Sequence, residues 1–217
     1  MSLGFSTEEQ AKLDRTLLIY RWAMDLLLTR VRAISEDAAA FQDGSLIERF
    51  KGRIKTADSI AGKLAKLGLE PSVDNAVANL RDLAGIRIIC SYTKDIHTMV
   101  ELLRGLPDVT VIKEKDYVTA PKPSGYRSFH LIVQIPVRYS GGAQVVPVEF
   151  QVRTEAMDFW ASLEHRVRYK YGGDIPQHLS DELVLCADKI AELDHRMYLI
   201  HDIISLINQD VSSSSQP

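Results

Sequence analysis

Two adjoining runs decide the fold: S-F-H-L-I-V-Q-I-P-V at residues 128–137 and Q-V-V-P-V-E-F-Q-V-R at residues 144–153, with Gly141 and Gly142 between them. Both are rich in β-branched residues and bounded by turn formers, so they read as two strands joined by a tight turn. Successive strand side chains point to opposite faces, which puts Val146, Val148, Phe150 and Val152 on one side and Glu149, Gln151 and Arg153 on the other. One face of this sheet is core, and the other is polar enough to carry chemistry.

Working outward, Ile86 to Cys90 follows Gly85 as a short apolar run and reads as a buried strand. Ile96, Met99, Val100 and Leu103 recur at helical spacing, and Val109 to Lys113 is a further β-like run. A helix is expected from about Thr154 to Tyr169, and a long one from about Ser180 to Asn208. Towards the N-terminus, Ser6 with Glu9 forms a capping-box signal, and Leu13, Leu17, Tyr20, Met24, Leu27, Val31 and Ile34 form one stripe of a long amphipathic helix. Phe41 to Ser45 reads as a loop, followed by a helix through about Leu67. Strands interleave with helices, so the expected class is α/β (α+β), a mixed sheet flanked by helices with long helices at both ends.

A net charge of −3, with 46% hydrophobic and 25% charged residues, fits a globular protein and excludes disordered and collagen-like classes. No run approaches the ~20 apolar residues of a membrane span, and MSLGFSTEEQ lacks a signal-peptide pattern, so a cytoplasmic protein without membrane partners is expected. Cys90 and Cys186 have neither metal-ligand spacing nor disulfide density, and are expected to be buried thiols. Against the acidic background, Arg49, Lys51, Arg53, Lys55, Lys63 and Lys66 face Asp58 alone, a local excess that calls for an anionic partner. Lys55, Ser59, Lys63 and Lys66 fall on one helix face, which Arg53 joins only if it lies at or before the first turn.

P-loop, dinucleotide and zinc-protease motifs are absent. What remains is a constellation. Asp82 precedes the first buried strand and Glu149 projects from the polar face of the last; two carboxylates beside a basic segment suit Mg²⁺ carrying a polyphosphate. Asp82 also fits a helix-terminal role beside Arg81. The loop 115–130 holds Tyr126 after Gly125, with Lys122, Arg127 and His130 nearby; Tyr126 suits either stacking on a nucleobase or packing on a hairpin rim.

Four ordered motifs carry a family resemblance: R-I-K-T-A-D-S-I-A-G-K (53–63), R-D-L-A-G-I-R-I (81–88), K-D-Y followed by P-K-P-S-G-Y-R-S-F-H (115–130), and V-E-F-Q-V-R-T with M-D-F-W-A-S-L-E-H (148–165). The stretch from Arg53 to Tyr171 resembles the synthetase domain of the RelA/SpoT-type guanosine tetra- and pentaphosphate synthetases, and the chain resembles their single-domain members, the small alarmone synthetases. The resemblance implies a nucleotidyltransferase-like fold and transfer of pyrophosphate from ATP to the ribose 3′-hydroxyl of GDP or GTP. It implies that Arg53, Lys55, Ser59, Lys63 and Arg87 hold ATP, that Asp82 and Glu149 hold Mg²⁺ and are catalytic, and that Lys122, Tyr126, Arg127 and His130 bind the acceptor. Glu164 and His165 match the family motif either as ligand contacts or as an inward pair supporting the sheet. His201-Asp202 lacks the further ligands of a hydrolase centre.

The expected organisation is a helical extension over 1–45, a synthetase domain over 46–173, a C-terminal helix over 174–210 and a disordered tail over 211–217. The stripes of the two terminal helices, the second through Leu183, Ala187, Ile190, Met197, Ile204 and Ile207, fit either packing on each other or a homo-oligomer; the resemblance implies a tetramer. It also leaves room for an alarmone or single-stranded RNA regulator, with Arg32 and Arg49 at an intersubunit cleft. Two alternatives share the observations: a tRNA-pyrophosphorylating toxin of the same fold, and a non-catalytic nucleotide- or RNA-binding module.

Overall fold

A computed structural model of the chain describes residues 4–41, 46–171 and 175–213, with the side chains of residues 169 and 208–213 excepted. Five strands, β1 (Ile47–Ile54), β2 (Ala84–Cys90), β3 (Thr110–Asp116), β4 (Phe129–Tyr139) and β5 (Gly142–Thr154), form one sheet in the order β1-β2-β5-β4-β3. β2 and β5 run parallel, and the other neighbours are antiparallel. Six helices complete the fold: α1 (Thr7–Phe41), α2 (Ala57–Lys66), α3 (Val73–Asn79), α4 (Thr93–Arg104), α5 (Glu155–Tyr171) and α6 (Gln177–Ser213).

The β4–β5 hairpin is as read, with Val146, Val148, Phe150 and Val152 fully buried. They face α1 and α4, whose own buried stripes include Leu13, Tyr20, Leu27 and Val31 on α1 and Ile96, Met99, Val100 and Leu103 on α4. Each such side chain contributes roughly 1.5–3 kcal/mol when withdrawn from water. The Ser6 hydroxyl caps α1 by accepting from Glu9 N–H at 3.2 Å, while the Glu9 carboxylate accepts from Val73 N–H at 2.6 Å and pins the start of α3 instead of closing the box.

Residues 47–54 correct the expected helix. They form edge strand β1, because the alternation Arg49, Lys51, Arg53 against Phe50 and Ile54 has period two: the cations face the open side and the apolar residues pack on the core. Gly52 lets α1 close on this strand, since a Cβ there would meet Met24 Sδ at 2.6 Å and Leu28 Cδ1 at 2.8 Å. The helix then begins at Ala57, capped by Thr56.

The terminal helices do not pack as a pair. α1 covers β1, β2, β4 and β5, whereas α6 packs on α5 and α4. Within the α6 stripe Ala187 is buried and Leu183 and Ile190 partly so, but Met197, Ile204 and Ile207 are exposed, alongside Phe159 of α5. Cys90 is buried, while Cys186 is exposed on α6, contrary to expectation, because its position falls off the stripe that meets α5. α6 takes in Val211, Ser212 and Ser213 of the expected tail; residues 214–217 lie outside the described residues, as do 42–45 of the expected loop. No described helix is long and apolar enough to cross a membrane.

Candidate active site

The sheet face opposite α1 is open and lined by the cations of β1 and β2 and the carboxylate of β5. Cross-strand register places Lys51 beside Arg87 and Arg53 beside Gly85, and Gly85 in turn beside Glu149. With Lys55 and Asp82 these residues line a cleft of about 410 Å³. Arg53 therefore reaches the cleft from the strand before α2. Lys51 and Gln151 line it too; Lys51 becomes legible as a site residue once 47–54 is read at period two.

Asp82 lies between α3 and β2, at neither helix terminus. Its Oδ2 accepts from Lys55 Nζ at 2.5 Å and Lys63 Nζ at 2.7 Å. Burial would raise its carboxyl, but the hydrogen bonds and charges of the two lysines prevail and hold it below the usual carboxylate value of 3.8. Its Oδ1 is buried without a hydrogen-bond partner among the described residues. An ionised oxygen withdrawn from water and left unpaired is costly unless something else ligates it. Ser59 lies in the first turn of α2, bonded to the cap: its N–H donates to Thr56 Oγ1 at 3.3 Å, and Thr56 Oγ1 donates to its hydroxyl at 2.9 Å.

Glu149 is held by two neighbours, His130 Nδ1 at 3.0 Å and Gln151 Nε2 at 2.8 Å. Burial pushes its carboxyl up, and the His130 contact, aided by Gln151, draws it below the usual 4.5. An ionised carboxylate only accepts, so His130 Nδ1 donates to it, and His130 Nε2 lies within hydrogen-bond distance of the Tyr126 hydroxyl at 2.8 Å. The Tyr126 oxygen accepts from Arg153 Nη2 at 2.5 Å. The Tyr126 ring lies near Lys122 Nζ (4.7 Å from the centroid) and the Arg153 guanidinium (5.0 Å). Tyr126, Lys122 and His130 thus gather on the β4 side of Glu149.

Arg127 is not brought to this face. Its guanidinium donates to Val118 O at 3.2 Å and Asp188 on α6 at 3.4 Å, because alternate residues of the incoming β4 segment point to opposite sides. Glu164 pairs with Arg168 one turn along α5 and His165 is exposed, so they form no inward pair beneath the sheet. His201 stacks on Tyr92 at 4.3 Å and Asp202 faces Lys94 at 4.0 Å, both tying α6 to α4. Arg32 is exposed on α1, whereas Arg49 is bonded within the chain to Glu155 and Asp158. Asp158, on the first turns of α5, carried no separate sequence signal: its role comes from three arginines on three different strands.

A mixed sheet presenting two separated carboxylates amid lysines and arginines, with an aromatic loop alongside, has the chemistry that phosphoryl transfer between nucleotides requires. The family described as a region found in RelA / SpoT proteins matches residues 52–174. The chain is 42% identical over 181 residues to the GTP pyrophosphokinase YwaC of Bacillus subtilis (83% of this chain, 86% of the relative), and 36% identical over 184 residues to YjbM, a GTP pyrophosphokinase of the same organism (85% and 86%). The crystal structure of small alarmone synthetase 1 from Bacillus subtilis bound to its product pppGpp matches with a TM-score of 0.83 at 35% identity, covering 89% of this chain and 98% of that one. Small alarmone synthetase 2 from Bacillus subtilis matches with a TM-score of 0.79 at 40% identity, covering 88% and 98%. The chain belongs to the RelA/SpoT family.

Proposed function

We propose that this protein is a GTP pyrophosphokinase that transfers the β,γ-pyrophosphate of ATP to the ribose 3′-hydroxyl of GDP or GTP, releasing AMP. The observation that carries the reading is the pairing of an unpartnered Asp82 oxygen with Glu149 in one cation-lined cleft, in a chain 42% identical to a GTP pyrophosphokinase. Arg53, Lys55, Lys63 and Arg87 hold the donor phosphates, with Ser59 at the α2 N-terminus, where the helix favours anions. Tyr126 stacks on the guanine, and Lys122 and His130 face the acceptor.

The residues fit Mg²⁺: Asp82, whose buried Oδ1 has no hydrogen-bond partner among the described residues, and Glu149 line one cleft, and Mg²⁺ binds through one or two carboxylates plus phosphate oxygens. Asp82 and Glu149 would hold it. When bound it supplies charge neutralisation at the phosphates. Lys55 and Lys63 fix Asp82 in place, and His130 and Gln151 fix the Glu149 carboxylate where it can take the proton of the attacking hydroxyl. The exposed apolar residues of α5 and α6, among them Phe159, Leu193, Ile200 and Ile204, support a homo-oligomer. The test is to incubate the purified protein with ATP, Mg²⁺ and GDP, GTP or deacylated tRNA, and separate the products by ion exchange. A new guanosine polyphosphate with AMP supports the reading; modification of tRNA alone assigns the toxin activity, and no product with any acceptor leaves a binding module.

A further inference from the structure

One carboxylate lies behind both halves of the site. Asp158 is 8% exposed; its Oδ1 forms an ion pair with Arg87 Nη1 at 3.1 Å and accepts from Arg153 Nη1 at 3.2 Å, while Oδ2 accepts from Arg49 Nη2 at 3.1 Å. Arg87 lines the cleft and is half-exposed, and Asp158 holds its guanidinium. Arg153 is buried and turns the other way: its Nη2 donates to the Tyr126 hydroxyl at 2.5 Å and to Gln151 Oε1 at 3.0 Å. Arg87 and Tyr126 are therefore linked through Asp158 Oδ1 and the Arg153 guanidinium.

We propose that Asp158 is a positioning residue that couples the two nucleotide sites, so that occupancy of the donor site tightens binding at the acceptor site; this rests on the assignment of Arg87 to the donor and Tyr126 to the acceptor. An ATP that immobilises Arg87 fixes Asp158, hence Arg153 and the Tyr126 hydroxyl, and the acceptor then binds a loop whose ordering has already been met. Linkage makes the effect reciprocal.

The test is calorimetric titration of GDP into the full-length protein with Mg²⁺, with and without saturating α,β-methylene ATP, which cannot release its pyrophosphate. The expected ratio of the two Kd values in the unaltered protein is about fivefold or more, the lower end of common allosteric couplings. In Asp158→Asn, which keeps the shape and removes the charge, the ratio falls below about twofold. Tyr126→Phe, which removes only the hydroxyl between Arg153 and His130, behaves likewise and decides the matter if Asp158→Asn does not fold. A ratio below about fivefold in the unaltered protein, or one of about twofold or more in either folded variant, overturns the proposal. Single-ligand titrations of Arg87→Ala with the analogue and Tyr126→Ala with GDP test the site assignment separately: if each weakens its own nucleotide while the ratio stays flat, the coupling fails and the assignment stands.

Discussion

Replacing Asp82 by Asn separates its two jobs. The substitution keeps the shape but removes the charge that Lys55 and Lys63 share at 2.5 and 2.7 Å, and replaces the unpaired Oδ1 or its neighbour with an amide that cannot hold a cation well. The lysines flank a partly exposed carboxylate, Lys63 being nearly half exposed, so the lost ion pairs cost on the order of 1 kcal/mol of stability or less. The chemical step suffers more. Removing one preorganised electrostatic group costs about 10²–10³ in rate, roughly 3–4 kcal/mol, and losing a metal ligand costs no less. Ground-state binding moves the other way, because two ammonium groups previously neutralised by Asp82 become free for donor phosphates. Steady-state kinetics with ATP varied at saturating GDP should therefore show kcat lower by at least about 10²-fold, with the KM for ATP unchanged or reduced. A kcat within about tenfold of the unaltered protein, or a raised KM with kcat retained, refutes the assignment of Asp82 to the reacting phosphates.

Glu149→Gln should abolish turnover by a similar factor with an unchanged circular dichroism spectrum, and chelation of divalent cations should do the same reversibly, both read by AMP release. Tyr126→Ala should raise the acceptor KM about tenfold or more, since base-on-aromatic stacking is worth roughly 1–3 kcal/mol, while Lys63→Ala should weaken ATP first; nucleotide-specific KM values check both. Burial lifts the Asp194 carboxyl above its usual 3.8, against the hydrogen bond from Thr154 and the charge of His195. A raised folded-state pKa means its contribution is fully present below about 3.8 and lost as pH rises through the folded value, so the Tm gained by Asp194→Asn should be larger at pH 7 than at pH 3. Ile200→Glu with Ile204→Glu places charge on the exposed apolar face of α6 and should reduce the mass measured by light scattering to that of one chain.

The parts of the fold legible beforehand were those where local pattern and tertiary role coincide. β5 alternates cleanly because one face meets α1 and α4 and the other meets the cleft, so Glu149 could be placed on the polar face from its neighbours. β1 was misread because an edge strand needs few apolar residues: Phe50 and Ile54 are its only partly buried apolar side chains after Ile47, and the basic residues between them suit a helix surface equally well. Arg127 sits in a run of site-like residues, and only strand alternation at Gly125–His130 separates it from Tyr126. Gly125 itself, at φ +87°, takes the turn that sends the chain under α6, where a Cβ would meet Ala187 at 2.6 Å. Asp158 falls within the M-D-F-W motif, but its role is not legible there: a carboxylate that gathers arginines from β1, β2 and β5 is defined by sheet order, which no local spacing records.

In the proposed reaction a pyrophosphoryl group, not a single phosphoryl group, leaves ATP for the acceptor. ATP labelled at the β-phosphorus and incubated with the protein, Mg²⁺ and GDP decides it. The label should move to a guanosine tetraphosphate in step with release of unlabelled AMP, and Glu149→Gln should leave the label in ATP. Label recovered in ADP, with only the γ-phosphate passed on, would contradict it.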